Sequence, residues 1–228
     1  MSPHEGAGLF LRDKDHLPEE HPLDWVSVAV RTRGRKTNRG RQWYADRQAL
    51  DLSCWDWFPD VDDPAGPGLA EAVEFAASVG ARSFILNAEK DFRGRLAAAG
   101  LYASSARAHC QRLGLALGLV SYSVPSTVRN FPWLEFARFC DFGIPEVYDR
   151  EGAFDPRYPR RAIDSWRAAG FRCIVPACGI YQRDNGGPFR WRTPEEVRHH
   201  LALFPEHTAR IAWGLKGSAP RGTLEALS

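Results

Sequence analysis

In the stretch "FILNAEKDF" (residues 84–92) an apolar run gives way to Asn87 and Glu89. Residues two apart on an extended strand point to the same side, so the amide and the carboxylate share one face. A carboxylic acid in a partly apolar site can hold its proton and then deliver it, and a neighbouring amide can both donate and accept hydrogen bonds. Such a pair needs a scaffold that ends a buried strand at an opening.

The rest of the chain supplies the pattern of that scaffold. Strand-like segments recur at residues 7–13, 24–30, 48–55, 82–89, 115–123, 140–149, 171–181 and 209–217. Helix-like stretches lie between them at 66–80, 92–114, 155–170 and 193–206, the last two opening on Asp155 and Thr193 as N-caps. Gly80, Gly114 and Gly170 stand where left-handed C-caps are expected. Strand and helix in alternation predict a parallel sheet, and about eight repeats predict one compact (β/α)8 barrel over residues 1–228. The chain is short for that fold, so the first two connections and the last helix must be abbreviated. An open doubly wound sheet is the alternative, but the first strand is followed by "DKDHL" rather than a glycine-rich phosphate loop.

Composition narrows the class. The 228 residues are 44% hydrophobic and 12% aromatic, enough for a large core, and the net charge of +2 demands neither nucleic acid nor a membrane. No apolar run reaches the length of a membrane span, and the N-terminus lacks the basic start and apolar core of a signal peptide. Synthesis in the cytoplasm is expected, with release or delivery to a cell wall left open. Five cysteines, Cys54, Cys110, Cys140, Cys173 and Cys178, lack the paired spacing of a zinc site and are expected as buried free thiols. Neither a metal nor a cofactor is implied.

In a barrel the functional groups come from the carboxyl ends of the strands. Asp13, Trp55, Asp56, Trp57, Tyr122, Glu146, Tyr148, Asp149, Tyr181, Gln182, Trp213 and Lys216 are expected at the same rim as Asn87 and Glu89. Aromatic faces stack on sugar rings, and carboxylates supply the acid and base of glycosidic cleavage, so carbohydrate is the expected ligand. Glu146 or Asp13 could act as a second carboxylate opposite Glu89. The segment at 31–41 carries Arg31, Arg33, Arg35, Lys36, Arg39 and Arg41 and is expected as a loop at the mouth, where it could grip an anionic polymer. It lacks the interleaved aromatic residues of a nucleic-acid platform.

These residues resemble a known family. Asn87-x-Glu89 at the fourth strand, "VYD" (147–149) at the sixth and Trp213 in the eighth look like the chitinase-type family 18 glycoside hydrolases. The fourth-strand element is also similar to the D-x-E of family 25 muramidases, found in phage lysins. More loosely, "FILNAEKDFRG", "SYSVPSTVRNFPW" and "DFGIPEVYD" resemble glycoside-hydrolase-like barrels of phages and actinobacteria. The resemblance spans residues 82 to 216. It implies a hydrolase of N-acetylated glycans, peptidoglycan preferred, in which Glu89 is the general acid. Asn87 stands where those families carry an acid, which removes a negative charge and leaves a catalytically silent carbohydrate-binding or structural barrel as the alternative. The resemblance places Tyr148 on the acetamide carbonyl, Asp149 beside it and Trp213 under the sugar.

Bland explanations remain for each residue. Glu89 could be a structural carboxylate paired with Arg82, Arg93 or Lys216, and the aromatic residues could be core. His199 and His200 are expected on a solvated helix face, far from the mouth.

Overall fold

The computed structural model describes residues 6–12, 15, 17, 23–32, 35–36, 40–47, 50–57, 59–148, 156–183, 189–204, 209–213 and 220–227. In chain order the elements are β1 (Gly6–Leu11), β2 (Trp25–Thr32), β3 (Arg35–Lys36), α1 (Arg41–Ala45), β4 (Asp51–Trp57), α2 (Pro67–Ser78), β5 (Ser83–Asn87) and α3 (Leu96–Leu113). They continue with β6 (Ala116–Tyr122), α4 (Trp133–Ala137), β7 (Phe142–Val147), α5 (Tyr158–Ala168), β8 (Ala177–Gly179), β9 (Tyr181–Arg183), β10 (Phe189–Trp191), α6 (Pro194–Leu201), β11 (Ala209–Trp213) and α7 (Arg221–Glu225).

A curled parallel sheet runs β1-β11-β8-β7-β6-β5-β4-β2, and β1 also pairs in parallel with β2. Each strand foreseen from the sequence is present. The architecture is mixed α/β, with helices packed outside the curl; among the described residues no helix follows β1, and α1, α4 and α7 have five residues each. The abbreviated last helix expected from the sequence is α7, whereas α1 and α4 were not anticipated, because little more than one turn carries no readable 3.6-residue period. The antiparallel β9–β10 hairpin was also missed.

Alternation along the strands divides the core in two. Phe10, Trp25, Trp55, Ile85, Val120, Phe142 and Ile144 fill the interior of the curl, while Leu9, Val26, Cys54, Phe84, Leu86, Leu117 and Val147 face the helices. Two large inward rings fit because their neighbours are glycines. A Cβ on Gly8 would sit 2.0 Å from the Trp25 ring, and one on Gly118 would sit 2.4 Å from Phe142.

Helix ends follow the sequence. Gly80, Gly114 and Gly170 all have positive φ, the conformation that glycine adopts without a Cβ penalty. Thr193 caps α6 in a reciprocal capping box with Glu196. Asp155 lies outside the described residues, and Arg157 occupies the N-cap of α5.

The basic segment departs from expectation. A register shift between Ala29 and Arg31 bulges β2 against β4, so that Arg31 lies level with Asp56. The bulge turns Arg31 away from the interior. Arg31 Nε and Nη2 reach Asp56 at 2.9 and 2.5 Å, and the Tyr102 hydroxyl of α3 donates to the same carboxylate at 2.6 Å. Arg31 is thus buried under α3 rather than displayed on a loop. Lys36 sits in β3 and pairs with Glu71 of α2 at 2.5 Å, and the Arg41 guanidinium lies 5.9 Å from the Phe75 ring centroid. Arg33 and Arg39 lie outside the described residues.

The five cysteines are all free, with Cys54, Cys110 and Cys178 buried and Cys140 and Cys173 half-buried. Burial pushes the Cys110 thiol up to about 12. No group of His, Cys, Asp or Glu among the described residues could hold a metal ion, and no described helix is long and apolar enough to cross a membrane.

Candidate functional site

Strand β5 delivers Asn87 and Glu89 as its alternation requires. Ile85 packs in the interior, Phe84, Leu86 and Ala88 pack outward, and Asn87 follows Ile85 inward. Asn87 is 1% exposed. Its Nδ2 donates to Glu89 Oε1 at 3.4 Å, a long and weak hydrogen bond. Asn87 Oδ1 is buried and has no hydrogen-bond partner among the described residues.

Glu89 is half-buried and rigidly seated. The Ser121 hydroxyl donates to the Ala88 carbonyl at 2.5 Å, fixing the chain between the two polar residues. The Phe92 amide donates to the Glu89 carbonyl at 3.1 Å, starting a 3-10 turn whose Phe92 ring stacks on Tyr102 at 5.5 Å. Of the cations weighed as structural partners, Arg82 is bound to Asp51 at 2.9 Å, and Arg93 lies over the Tyr122 ring, 5.1 Å from its centroid. Lys216 lies outside the described residues.

Tyr122 ends β6 level with Glu146 of β7. Burial raises its phenol; the Arg93 guanidinium works against that rise, and the negative charges of Glu89 and Glu146 add to it. Two carboxylates from adjacent regions of the sheet therefore converge on one phenol, with a guanidinium on its face. Glu146 lies in turn level with Ala177 of β8. Tyr148, one step past β7, points inward and lies 6.2 Å from Tyr181, ring centroid to ring centroid. Gly179 lies beside it: a Cβ there would meet the Tyr148 side chain at 3.5 Å, an ordinary van der Waals contact.

Other expected site residues fall elsewhere. Trp55 is fully buried in the interior, its Nε1 donating to the Leu11 carbonyl at 3.0 Å; it is a packed ring beneath the mouth and not an exposed platform. Asp56 faces the helices and is spent on Arg31 and Tyr102. The backbone of Trp57 lies level with Asn87, and that of Trp213 with Phe10 and Gly179. Asp13 and Asp149 lie outside the described residues.

Two supporting residues were misplaced or missed from sequence. His200 is 2% exposed, and its Nε2 meets the Val147 carbonyl at 3.2 Å, directly behind Tyr148. Burial, aided by the charge of Arg192, lowers its pKa to about 4, so the ring is neutral at pH 7. Arg192 is itself buried, and its Nε donates to the Tyr181 carbonyl at 3.4 Å. Tyr148 and Tyr181 are thus braced through the backbone by a buried nitrogen base and a buried cation. The helical spacing of Val197, His200 and Phe204 carried the signal, since residues three and four apart share a face.

No protein-family model and no curated protein matches the chain. Solved structures do. A family 18 N-acetylglucosaminidase from Paenibacillus barengoltzii superposes with a TM-score of 0.70 at 13% identity, covering 98% of each chain. The second catalytic domain of a group II chitinase from Ostrinia furnacalis, solved with a chitooligosaccharide, gives 0.65 at 10% identity over 98% of this chain and 95% of that one. The spore cortex-lytic enzyme SleL of Bacillus megaterium gives 0.65 at 12% identity over 99% of this chain and 74% of that one. The chain shares the fold of chitinase-like glycoside hydrolases.

Proposed function

We propose that this chain is one domain, a short (β/α)8 barrel, that hydrolyses a polymer of N-acetylated sugars, peptidoglycan preferred, with Glu89 as general acid. The observation that carries it is Asn87. An amide 1% exposed, with an oxygen that has no partner among the described residues, at the carboxyl end of an inner strand, is costly unless something fills it. A substrate acetamide N–H is a fitting donor. The chitinase solved with a chitooligosaccharide and the spore cortex-lytic enzyme, which share this fold, support the same class.

In this reading Glu89 passes its proton to the glycosidic oxygen as the C–O bond breaks. Tyr148 orients the acetamide, Tyr181 lines the sugar subsite and Tyr122 borders the leaving group, while the side chains of Trp57 and Trp213 lie outside the described residues. The cationic centre is met by the substrate's own acetamide oxygen or by Glu146, and water completes hydrolysis. Glu146, level with Tyr122 across the sheet, is the second carboxylate of this reading, and Asp13 lies outside the described residues.

A second reading has its own observation. The Asn87 amide donates toward Glu89, and donation to a carboxylate favours its ionised form. That works against a proton-holding acid and favours a silent glycan-binding barrel. At 3.4 Å the bond is weak enough for substrate to replace it.

Chitin oligomers and purified cell walls, offered to wild type and Glu89→Gln, separate the two. Hydrolysis by wild type alone supports the enzyme. Equal hydrolysis by both removes Glu89 from the role. Binding without hydrolysis, lost on Tyr148→Ala, selects the silent barrel.

A further inference from the structure

Arg93, weighed as a structural partner of Glu89, makes no ion pair with it or with any other described carboxylate. The residue is exposed, and its guanidinium lies over the Tyr122 ring, 5.1 Å from the centroid. The arginines that follow it are spent differently. Arg95, Arg107 and Arg112 are paired with Asp62, Asp141 and Glu74.

The chain around Arg93 is fixed on both sides. Phe92 is fully buried, and the Arg93 amide donates to the Lys90 carbonyl at 3.1 Å. Gly94 takes a φ of 73° and donates to the Asn130 carbonyl at 2.7 Å, which ties the connection after β5 to the one after β6. The Tyr122 ring that carries the cation is itself held. Phe131 meets it edge-on at 5.9 Å, and Trp166 Nε1 donates to its carbonyl at 2.9 Å. A cation seated in this way loses less side-chain freedom on binding a ligand than one on a free stem.

We propose that Arg93 sets the substrate class of the mouth by binding a carboxylate carried by an acidic N-acetylated glycan. The inference rests on the glycan reading of Asn87 and Glu89. A guanidinium that rests by its face on a ring keeps its in-plane N–H groups for acceptors. Those N–H groups form a planar fork that matches a carboxylate in bidentate fashion, and a charged acceptor is held about twice as strongly as a neutral one. Asn87, Glu89 and Arg93 follow one another at the carboxyl end of β5. The carboxylate therefore belongs to the sugar seated at Asn87 or to its neighbour in the chain. It can be borne by the sugar itself through an ether-linked acid, or by a peptide attached to the sugar. A neutral chitin-type chain offers Arg93 only hydroxyl and amide oxygens.

The test compares wild type with Arg93→Gln, Arg93→Lys and a control, Arg82→Gln, which removes equal charge from an exposed arginine paired with Asp51 just before β5. Circular dichroism confirms that each is folded. Titration calorimetry measures affinity for four soluble ligands: neutral chitin oligomers, peptide-free wall oligomers with free sugar-borne carboxylates, the same oligomers with those carboxylates amidated, and wall oligomers that keep their peptides. Expected is a wild-type preference of about tenfold at low salt for a carboxylate-bearing oligomer over its amidated form, shrinking as salt rises. Arg93→Gln should erase that preference, Arg93→Lys should keep part of it, and the control should match wild type. A preference seen with the peptide-free oligomers assigns the sugar-borne carboxylate, and one seen only when peptides are present assigns the peptide. Equal wild-type affinity for acidic and amidated oligomers overturns the role of Arg93 and leaves the glycan reading standing. An equal loss by Arg93→Gln on acidic and amidated oligomers also overturns it, since Arg93 would then only brace Tyr122. Wild type that binds none of the four ligands removes the glycan reading and this inference with it.

Discussion

Two buried polar groups, one strand apart, are treated in opposite ways. On the outer side of β4, Asp56 is fully buried and accepts from Arg31 and from Tyr102 within 2.9 Å. On the inner side of β5, Asn87 is equally buried, but among the described residues its oxygen has no partner and its amide makes one bond of 3.4 Å. Burial of a polar group is costly in either place. A network closed within the protein secures the fold, whereas in the proposed function the open valence at the mouth is the place of the substrate acetamide.

The largest expected effect lies on the closed side. Asp56→Ala strands a buried guanidinium and a phenol, and removal of one partner of a buried pair costs about 3–5 kcal/mol. Urea unfolding should show that loss. Asn87→Leu should be neutral or slightly stabilising in the same assay, because it deletes an unpaired acceptor. A loss of comparable size at Asn87 would erase the contrast.

Next comes a pH effect behind the mouth. His200 titrates near 6.5 when unfolded and at about 4 in the fold. The unfolded chain therefore binds a proton first as pH falls. Stability contributed by the neutral ring is complete above pH 6.5, drains between 6.5 and about 4, and falls no further below. The total is about 3 kcal/mol at 1.4 kcal/mol for each pH unit. His200→Gln should flatten stability over that window, and an unchanged slope would reject the assignment.

On the open side, Glu89→Gln keeps shape and removes the transferable proton. It should cut hydrolysis by about a hundredfold or more while sugar binding survives. Glu89→Gln should leave urea unfolding nearly unchanged, unlike Asp56→Ala, which sharpens the distinction between a working group and a structural one.

How much of this was legible in sequence follows the physics of each signal. The eight strands were, since apolar runs of five to eight residues punctuated by helices and glycine stops are unambiguous in sum. The pairing of Asn87 with Glu89 was also legible, because strand alternation fixes direction without tertiary knowledge. Asp56 was not: at a strand end the direction of a carboxylate depends on which neighbour it meets, and its partner Arg31 turns outward only through a bulge in β2 that shifts the register by one residue. Trp55 was read as a platform although its alternation with Ser53 pointed it inward, where Phe10 meets it edge-on at 5.5 Å.

The smallest effect is the most diagnostic of what the open valence is for. Asn87→Asp replaces the amide donor beside Glu89 by a second carboxylate. The hydrogen bond that favours ionised Glu89 is lost, and a like charge is added at the same distance. Both changes raise the pKa of Glu89, so it keeps its proton to higher pH. If Glu89 is an acid, the alkaline limb of the activity profile should move up by about one unit, and the rate should rise several-fold where the new charge steadies a cationic transition state. Because the added charge lies next to a group already buried, part of the gain is offset by desolvation, which keeps the expected change below that of Glu89→Gln. A profile that does not move, with hydrolysis still dependent on Glu89, would show that Asn87 serves only to seat the sugar. A profile that moves down would mean that Glu89 works ionised, as a base or an electrostatic partner.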